Sequence, residues 1–436
     1  MSTRIKAGFY TLGCKLNFAE TATLIRRFDN AGYGRAGEWE KADIYVINTC
    51  SVTENANKNF RALVRRLHKI NPDAVIIATG CYAQLEPETL AEIEQVDMVV
   101  GMKDKLRIAD FITHVQKKSV ADIHSCETRD LNIFDPAYST GERTRAFLKI
   151  QDGCDYVCTY CTIPGARGKS RSGSIESILD NARNIARQGI GEIVLTGVNI
   201  GDYGKNISGN AGYGFLDLIK KLDTVEGIAR YRISSIEPNL LTSEIIEFVA
   251  GSEKFVPHFH IPLQSGNDTL LKTMKRRYRT ADYRDRVETV KKLIPHAAIG
   301  VDVIVGFPGE TDEKFLDTYR FIESLDVSYL HVFTYSERPG TPAATMEGKV
   351  PVEVRRKRSK MLRALSLKKK QNFYRSQMNT EHTVIFEPAD KEGYQYGFTG
   401  NYIRVRLPAS PSLSKNLQRV KLSHLENGLF TGTLLS

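Results

Sequence analysis

The stretch Gln151–Gly168, QDGCDYVCTYCTIPGARG, sets Cys154, Cys158 and Cys161 in a C-x3-C-x2-C spacing. A structural zinc site asks for four protein ligands, commonly as two matched pairs, and an ordinary iron–sulfur site asks for four cysteines. Three thiolates on one short loop can instead hold three corners of a four-iron cubane. The fourth iron then stays open to a small molecule, as a catalytic zinc keeps an open position. The competing reading is a zinc ion completed by a distant ligand such as a histidine. Tyr160, directly before the last cysteine, is expected to shield the cluster from water. The strand-like run RAFLKIQ (145–151) precedes the loop. The cysteines therefore sit at the C-terminal end of a strand opening a β/α region, where such folds keep active sites.

The chain on either side divides by texture. In residues 1–120 the β-like runs KAGFYTLGC (6–14), DIYVINTC (43–50) and AVIIATGC (74–81) alternate with helical patterns at 20–32 and 57–70. That alternation predicts an α/β domain with a parallel sheet. Residues 121–140 lack periodicity and read as a linker. From 141 to 375 six strand-like runs, at 145–151, 192–199, 230–237, 259–265, 298–307 and 329–336, are separated by helical patterns. They predict a partial (β/α)6 barrel. It ends in a basic helix whose segment Arg355–Lys370 holds nine Lys and Arg in sixteen residues. Residues 376–436 change to alternating β-branched and aromatic runs with Gly and Asn turns, as in a small β-barrel.

Composition bounds the rest. The 436 residues are 41% hydrophobic and 26% charged, as in soluble globular proteins. No apolar run reaches the roughly 18–20 residues of a membrane span, so no membrane partner is expected. The start MSTRIKAGFY has no apolar signal core, which predicts a cytoplasmic protein. Disulfides are not expected there, and clustered cysteines point to metal or catalysis. A net charge of +10 and a pI near 9.1 favour a polyanionic partner.

Cys14, Cys50 and Cys81 are distant in sequence, yet each ends one of the β-like runs. In a parallel sheet those ends share one edge, the crevice where open α/β folds bind ligands. Taken singly each cysteine would be an ordinary buried residue. Together they predict a second three-cysteine cluster, with Gly13 and Gly80 letting the backbone wrap closely around it. Cys126 fits neither set and reads as a free thiol.

C-x3-C-x2-C at the head of a β/α region resembles the radical S-adenosylmethionine (SAM) superfamily. There the open iron is chelated by the amino and carboxyl groups of SAM. The resemblance implies SAM contacts at Gly197 and Asn199 of LTGVNIGDYG, Glu237 of ISSIEP and Gln264 of HIPLQSGND. VDVIVGFPGET (301–311) resembles the strand that contacts adenine. TLGCKLNFAET, INTCSVTENANK, GCYAQ, QDGCDYVCTYCTIPGARGKSRS, HIPLQSG and MKRRY together resemble the methylthiotransferases over nearly the whole chain. The family carries an auxiliary cluster, a radical SAM cluster and a TRAM-type tail, hence two [4Fe-4S] clusters and SAM as cofactors. Gly-Cys-Lys at 13–15, Ser-Val-Thr at 51–53 and Tyr82 resemble the branch acting on threonylcarbamoyladenosine in tRNA rather than the isopentenyladenosine branch. The family chemistry implies two SAM per turnover, one cleaved to a radical and one donating methyl.

Partners follow from the same resemblance: the tRNA anticodon stem-loop, an electron donor of flavodoxin or ferredoxin type, and an unidentified sulfur donor. Lys275, Arg276 and Arg277, near the barrel strand ends, and Arg404 and Arg406 in the tail are expected to meet phosphates. Tyr394, Tyr396, Phe398 and Tyr402 offer stacking surfaces, about half of them structural. From another class, a non-catalytic RNA-binding protein with structural zinc would share the basic tail but would be colourless.

Overall fold

Ile44–Thr49 and Val75–Gly80 bury every residue, which marks parallel strands covered by helices on both faces. The computed structural model describes residues 4–51, 54–112, 115–140, 144–207, 212–413 and 417–435. Val52 and Thr53 of the Cys50 motif lie outside them, as do residues 141–143, where the central domain was expected to begin. The first sheet contains β1 (Lys6–Thr11), β2 (Gly34–Arg35), β3 (Ile44–Thr49), β4 (Val75–Gly80), β5 (Met98–Val100) and β6 (Asp122–His124). It is parallel throughout, in the order β2-β1-β3-β4-β5-β6. The sixth strand corrects the linker reading, because three residues are too few to show a period. Beyond it the segment stays attached to the central domain. Ile133 accepts a hydrogen bond from Arg171 at 2.7 Å, and Tyr138 bridges to Leu148.

The central strands are β7 (Arg145–Lys149), β10 (Glu192–Thr196), β11 (Arg230–Ile233), β12 (His258–His260), β13 (Ala298–Val305) and β14 (Tyr329–Thr334). They form two three-stranded parallel sheets linked by the bridges Tyr231–Phe255 and Ser235–His260, an open six-strand barrel in sequence order. A short antiparallel pair, β8 (Gln151–Asp152) with β9 (Arg171–Ser172), ties the cysteine loop shut at its base. The helix Val352–Ser376 packs along β14. Its basic run is partly structural. Arg355 binds the Tyr335 and Val350 carbonyls and Glu337, and Arg358 binds Glu310 at 2.6 Å and Asp312 at 2.7 Å.

The tail is a closed barrel of β15 (Glu381–Phe386), β16 (Tyr394–Thr399), β17 (Arg404–Pro408), β18 (Gln418–Glu426) and β19 (Leu429–Leu434). Glu192 anchors it through two arginines. Arg230 and Arg232 hold that carboxylate at 2.6 and 3.1 Å and donate onward to the Phe398 and Gly400 carbonyls. Burial alone would raise the Glu192 carboxyl, but the two guanidiniums hold it at about 2.

A second buried network joins the N-terminal domain to the barrel. Arg167, within the opening stretch, donates to both oxygens of Glu20 at 3.0 Å, to Asp152 at 2.9 Å and to Asn17 at 2.8 Å. Lys105 and Lys149 also reach Glu20, and Lys149 and Arg171 reach Asp152. Burial by itself would raise both carboxyls. Arg167, Lys105 and Lys149 reverse this at Glu20, and Lys149, Arg167 and Arg171 do so at Asp152, so both stay well below the usual carboxylate range. Carboxyls depressed in the folded state contribute stability that is present above their unfolded value of about 4 and lost as pH falls below it. Glu20→Gln should cost about 3–5 kcal/mol at neutral pH by leaving buried cations uncompensated. In urea titrations it should also shrink the loss of stability on going from neutral pH into the acid range. Removing the exposed Arg419–Glu381 pair by Glu381→Gln should leave the midpoint nearly unchanged.

Candidate active site

The cysteine loop is built by backbone constraints. Gly153 has φ +68°, and a Cβ there would lie 2.0 Å from the Lys169 carbonyl, so only glycine lets the two sides of the loop close. The Cys154 amide donates to the Gly168 carbonyl at 3.0 Å, and the Tyr156 amide approaches the Cys154 sulfur at 3.4 Å. Burial pushes the Cys154 thiol up to about 12 and the Cys161 thiol up to about 11. Both are inert thiols until a metal replaces the proton.

The other three cysteines follow β1, β3 and β4, which are adjacent in the sheet, so their ends share one edge. A Cβ on Gly13 (φ +120°) would lie 2.8 Å from Cys50 Cβ and 3.2 Å from its sulfur. Glycine there keeps the space beside that sulfur clear. Cys81 lies close enough to Cys14 and Arg167 for their charges to act on it, with burial the largest influence and raising its thiol.

Spacing tests which metal the triplets fit. Sulfurs around one zinc lie about 3.8 Å apart, from Zn–S bonds of about 2.3 Å. Among the described residues, three ligand groups within 4.8 Å of one another occur at His260, Asp302 and His331, and at neither cysteine triplet. Neither triplet is gathered as tightly as a single zinc requires, whereas a four-iron cubane holds its cysteines further apart. At the exception, His260 already engages Asp302 through Nε2 at 2.7 Å and Ser235 through Nδ1 at 3.0 Å.

A cavity of about 250 Å³ opens against Cys161 and is lined by Ile163, Gln264, Asp302, Ile304 and Phe333, among others. Its apolar walls and few polar groups suit a nucleoside. Gln264 adopts φ +66°, a left-handed conformation uncommon for a non-glycine side chain. The other expected SAM contacts do not line this cavity. Gly197 is tight because a Cβ would lie 2.9 Å from Gln151, whose side chain accepts from the Val198 and Asn199 amides. Asn199 is buried and donates to Asp202 at 3.1 Å, leaving its Oδ1 without a partner.

Arg276 requires a correction. Its side chain is 3% exposed and cannot meet an RNA phosphate. It donates to the Cys158 sulfur at 3.1 Å, to Tyr160 at 3.4 Å and to Tyr278 at 3.1 Å, and it pairs with Glu237. Burial raises the Glu237 carboxyl and Arg276 opposes that rise. The positive charge thus sits beside the Cys158 sulfur, where burial raises the thiol and Arg276 opposes that rise, and Glu237 already commits one oxygen to holding it there. Lys275 and Arg277 are exposed, with Arg277 over the Tyr156 ring at 4.0 Å.

In the tail, Tyr394, Tyr396 and Phe398 share the outward face of β16 while Gln395, Gly397 and Thr399 point inward. Arg406 lies over Tyr394 at 4.6 Å and Arg404 over Tyr396 at 4.7 Å. Phe398 and Tyr402 stack on each other and meet Arg145 and Arg232 of the barrel, so these two aromatics dock domains. The sequence reading missed Asp302 as a cavity residue. Its signal was a lone carboxylate in the apolar run AIGVDVIVGF.

Residues 148–322 match the radical SAM superfamily, and residues 6–101 match a family described as uncharacterized protein family UPF0004. The chain is 42% identical over 426 residues to the threonylcarbamoyladenosine tRNA methylthiotransferase MtaB of Bacillus subtilis, covering 95% of this chain and 93% of that one. The chain belongs to the radical SAM methylthiotransferase family. The MtaB protein of Aquifex aeolicus is 37% identical, covering 92% of this chain and 96% of that protein. A tRNA-2-methylthio-N(6)-dimethylallyladenosine synthase of Staphylococcus epidermidis is 33% identical, covering 98% of this chain and 84% of that one. In fold, the radical SAM methyltransferase TsrM of Kitasatospora setae superimposes with a TM-score of 0.57 at 13% identity, covering 94% of this chain and 86% of that one.

A methylthiotransferase with two such sites should bind about eight irons and absorb in the blue. After anaerobic reconstitution, Cys158→Ala and Cys50→Ala should each retain about four. Equal full iron in either variant would remove that cysteine from the ligand set.

Proposed function

We propose that the protein methylthiolates carbon 2 of N6-threonylcarbamoyladenosine in the tRNA anticodon stem-loop, in the cytoplasm. What carries the reading is two three-cysteine sets, each short of one ligand, on domains docked through the buried Arg167, Glu20 and Asp152. When bound, the cluster on Cys154, Cys158 and Cys161 with SAM supplies a carbon radical able to take hydrogen from an unactivated C–H bond, and the cluster on Cys14, Cys50 and Cys81 supplies the sulfur. Two SAM are consumed per turnover, one of them as methyl donor. An electron donor of flavodoxin or ferredoxin type and a separate sulfur donor complete the cycle.

The protein's own residues bind, orient and exclude water. Arg276 holds Cys158 and Glu237 in fixed relation. Ile163, Ile304 and Phe333 keep the cavity at Cys161 apolar, while Gln264 and Asp302 give it polar direction. Lys275 and Arg277 are placed to take backbone phosphates near the site. Tyr394 and Tyr396 with their arginines form an RNA-facing strip. Glu237, Gly197 and Asn199 are assigned to the SAM side of the site. Methylthiolation of isopentenyladenosine is the second reading, favoured only by relatives of lower identity.

Nucleoside mass spectrometry of tRNA from a strain lacking the protein should show threonylcarbamoyladenosine without its methylthio form. Accumulated isopentenyladenosine would favour the second reading. In vitro, Cys50→Ala should still cleave SAM but transfer no methylthio group. Arg404→Ala with Arg406→Ala should weaken tRNA binding and lower the salt slope by about two, as each phosphate contact contributes about one.

A further inference from the structure

The cysteine loop has two faces. Cys161 lines the cavity of about 250 Å³ described above, Cys158 is buried, and Cys154 lines a second, wider depression of about 580 Å³. Thr128, Arg129, Val157 and Lys169 are among the residues that wall this depression. Val157, between two cysteines of the triplet, is 66% exposed. Arg129 and Lys169 are exposed, and among the described residues neither side chain makes a hydrogen bond or ion pair. The carboxylate lining the depression is Asp155, whose Oδ1 accepts from the Ser170 amide at 3.0 Å. The surface is also held in shape. Thr128 donates to the Gly165 carbonyl at 2.6 Å, which ties the turn carrying Arg129 to the helix Ile163–Arg167. Lys169 directly follows Gly168, whose carbonyl receives the Cys154 amide.

The two faces differ in what they can receive. The apolar cavity at Cys161 suits a nucleoside, and an electron must reach the cysteine site while that side is filled. Electron transfer between proteins falls off steeply with distance, so a carrier has to come against the ligand loop itself. Cys154 is the cysteine that reaches the other face. Interfaces for such transient transfer are small and use complementary charge to speed the encounter. Arg129 and Lys169 match an acidic partner. RNA is acidic too, but single-stranded RNA is recognised by stacking on aromatic faces. Tyr156, the aromatic residue lining the depression, is 3% exposed, carries Arg277 over its ring at 4.0 Å and accepts from Asn239 at 2.9 Å. It offers no face for a base. An exposed aliphatic side chain beside a concave surface suits instead the apolar edge of a flavin.

We propose that the depression at Cys154 is the docking site of the electron donor, an acidic flavoprotein. Its flavin edge meets Val157 and its carboxylates meet Arg129 and Lys169. This rests on the radical reading of the Cys154, Cys158 and Cys161 site. In the docked pair one electron leaves the reduced flavin, which is oxidised by one, and enters the cluster held by those cysteines, which is reduced by one. No bond forms or breaks between the two proteins.

The test uses reconstituted protein, wild type and Arg129→Glu with Lys169→Glu, with a flavodoxin as the probe. In calorimetry at low salt the double variant should bind oxidised flavodoxin about 10-fold more weakly than wild type, and added salt should weaken wild type far more than the variant. SAM cleavage driven by reduced flavodoxin should slow by a similar factor. Cleavage driven by dithionite, which needs no docking, should stay at the wild-type rate, as should iron content and affinity for an anticodon stem-loop. Unchanged flavodoxin affinity in the double variant overturns the assignment. Equal slowing with dithionite overturns it by placing the effect in the loop, and weakened stem-loop binding overturns it by giving the surface to RNA. A wild-type protein that cleaves SAM with dithionite but binds no flavodoxin overturns it while leaving the radical reading intact. One that cleaves SAM with neither reductant overturns both.

Discussion

Arg167 and Glu20 form the contact on which the rest of the molecule depends. Both are buried, and they come from different domains. A buried ion pair adds little net stability over an apolar contact of the same size, yet breaking it is costly, so its effect is to permit only one docking. Here the selected docking brings two cysteine sites together. Glu20 lies on the helix that begins after Cys14, Arg167 lies at the end of the loop that holds Cys161, and Arg167 also acts on Cys81. Asp152, just before Cys154, takes a share of the same guanidinium. Two carboxylates meet four cations in this core: Arg167, Arg171, Lys105 and Lys149. The surplus positive charge lies beside Cys81, where Arg167 and Lys105 oppose the rise that burial imposes on its thiol.

The placing of Cys14, Cys50 and Cys81 at one sheet edge was legible because each follows a β-like run, and strand order then does the rest. In a parallel sheet the C-terminal ends share an edge, so spacing along the chain is no obstacle to convergence. The buried network was not legible in the same way. Glu20, Lys105, Lys149, Asp152 and Arg167 come from separate segments, and each looks in isolation like an ordinary surface charge. Arg276 misled for the same reason. Within MKRRY three consecutive basic residues look equivalent, but the turn buries only the middle one, against Cys158. Asp122–His124 was hidden by its brevity, and Arg355 and Arg358 by the density of basic residues around them.

The C-terminal barrel divides one strand face between two tasks. On β16 the aromatic residues at alternate positions point the same way, as strand geometry requires. Phe398, at the end nearest the central barrel, joins Tyr402 in meeting Arg145 and Arg232. Tyr394 and Tyr396, further along, keep their arginine partners within the small barrel. The arginines on Glu192 reach backbone carbonyls of the tail, so the docking is specified by main-chain position as well as by side chains.

The two-domain core also limits how this architecture can be recombined. Exchange of the N-terminal domain alone would carry Glu20 into a barrel without Arg167, or leave Arg167 and Lys149 buried against a surface without a carboxylate. Either hybrid would hold uncompensated charge at the seam where the two cysteine sites must meet. The domains are separate in topology yet electrostatically one unit, because Arg167, at the end of the cysteine loop, completes the charge balance of its neighbour.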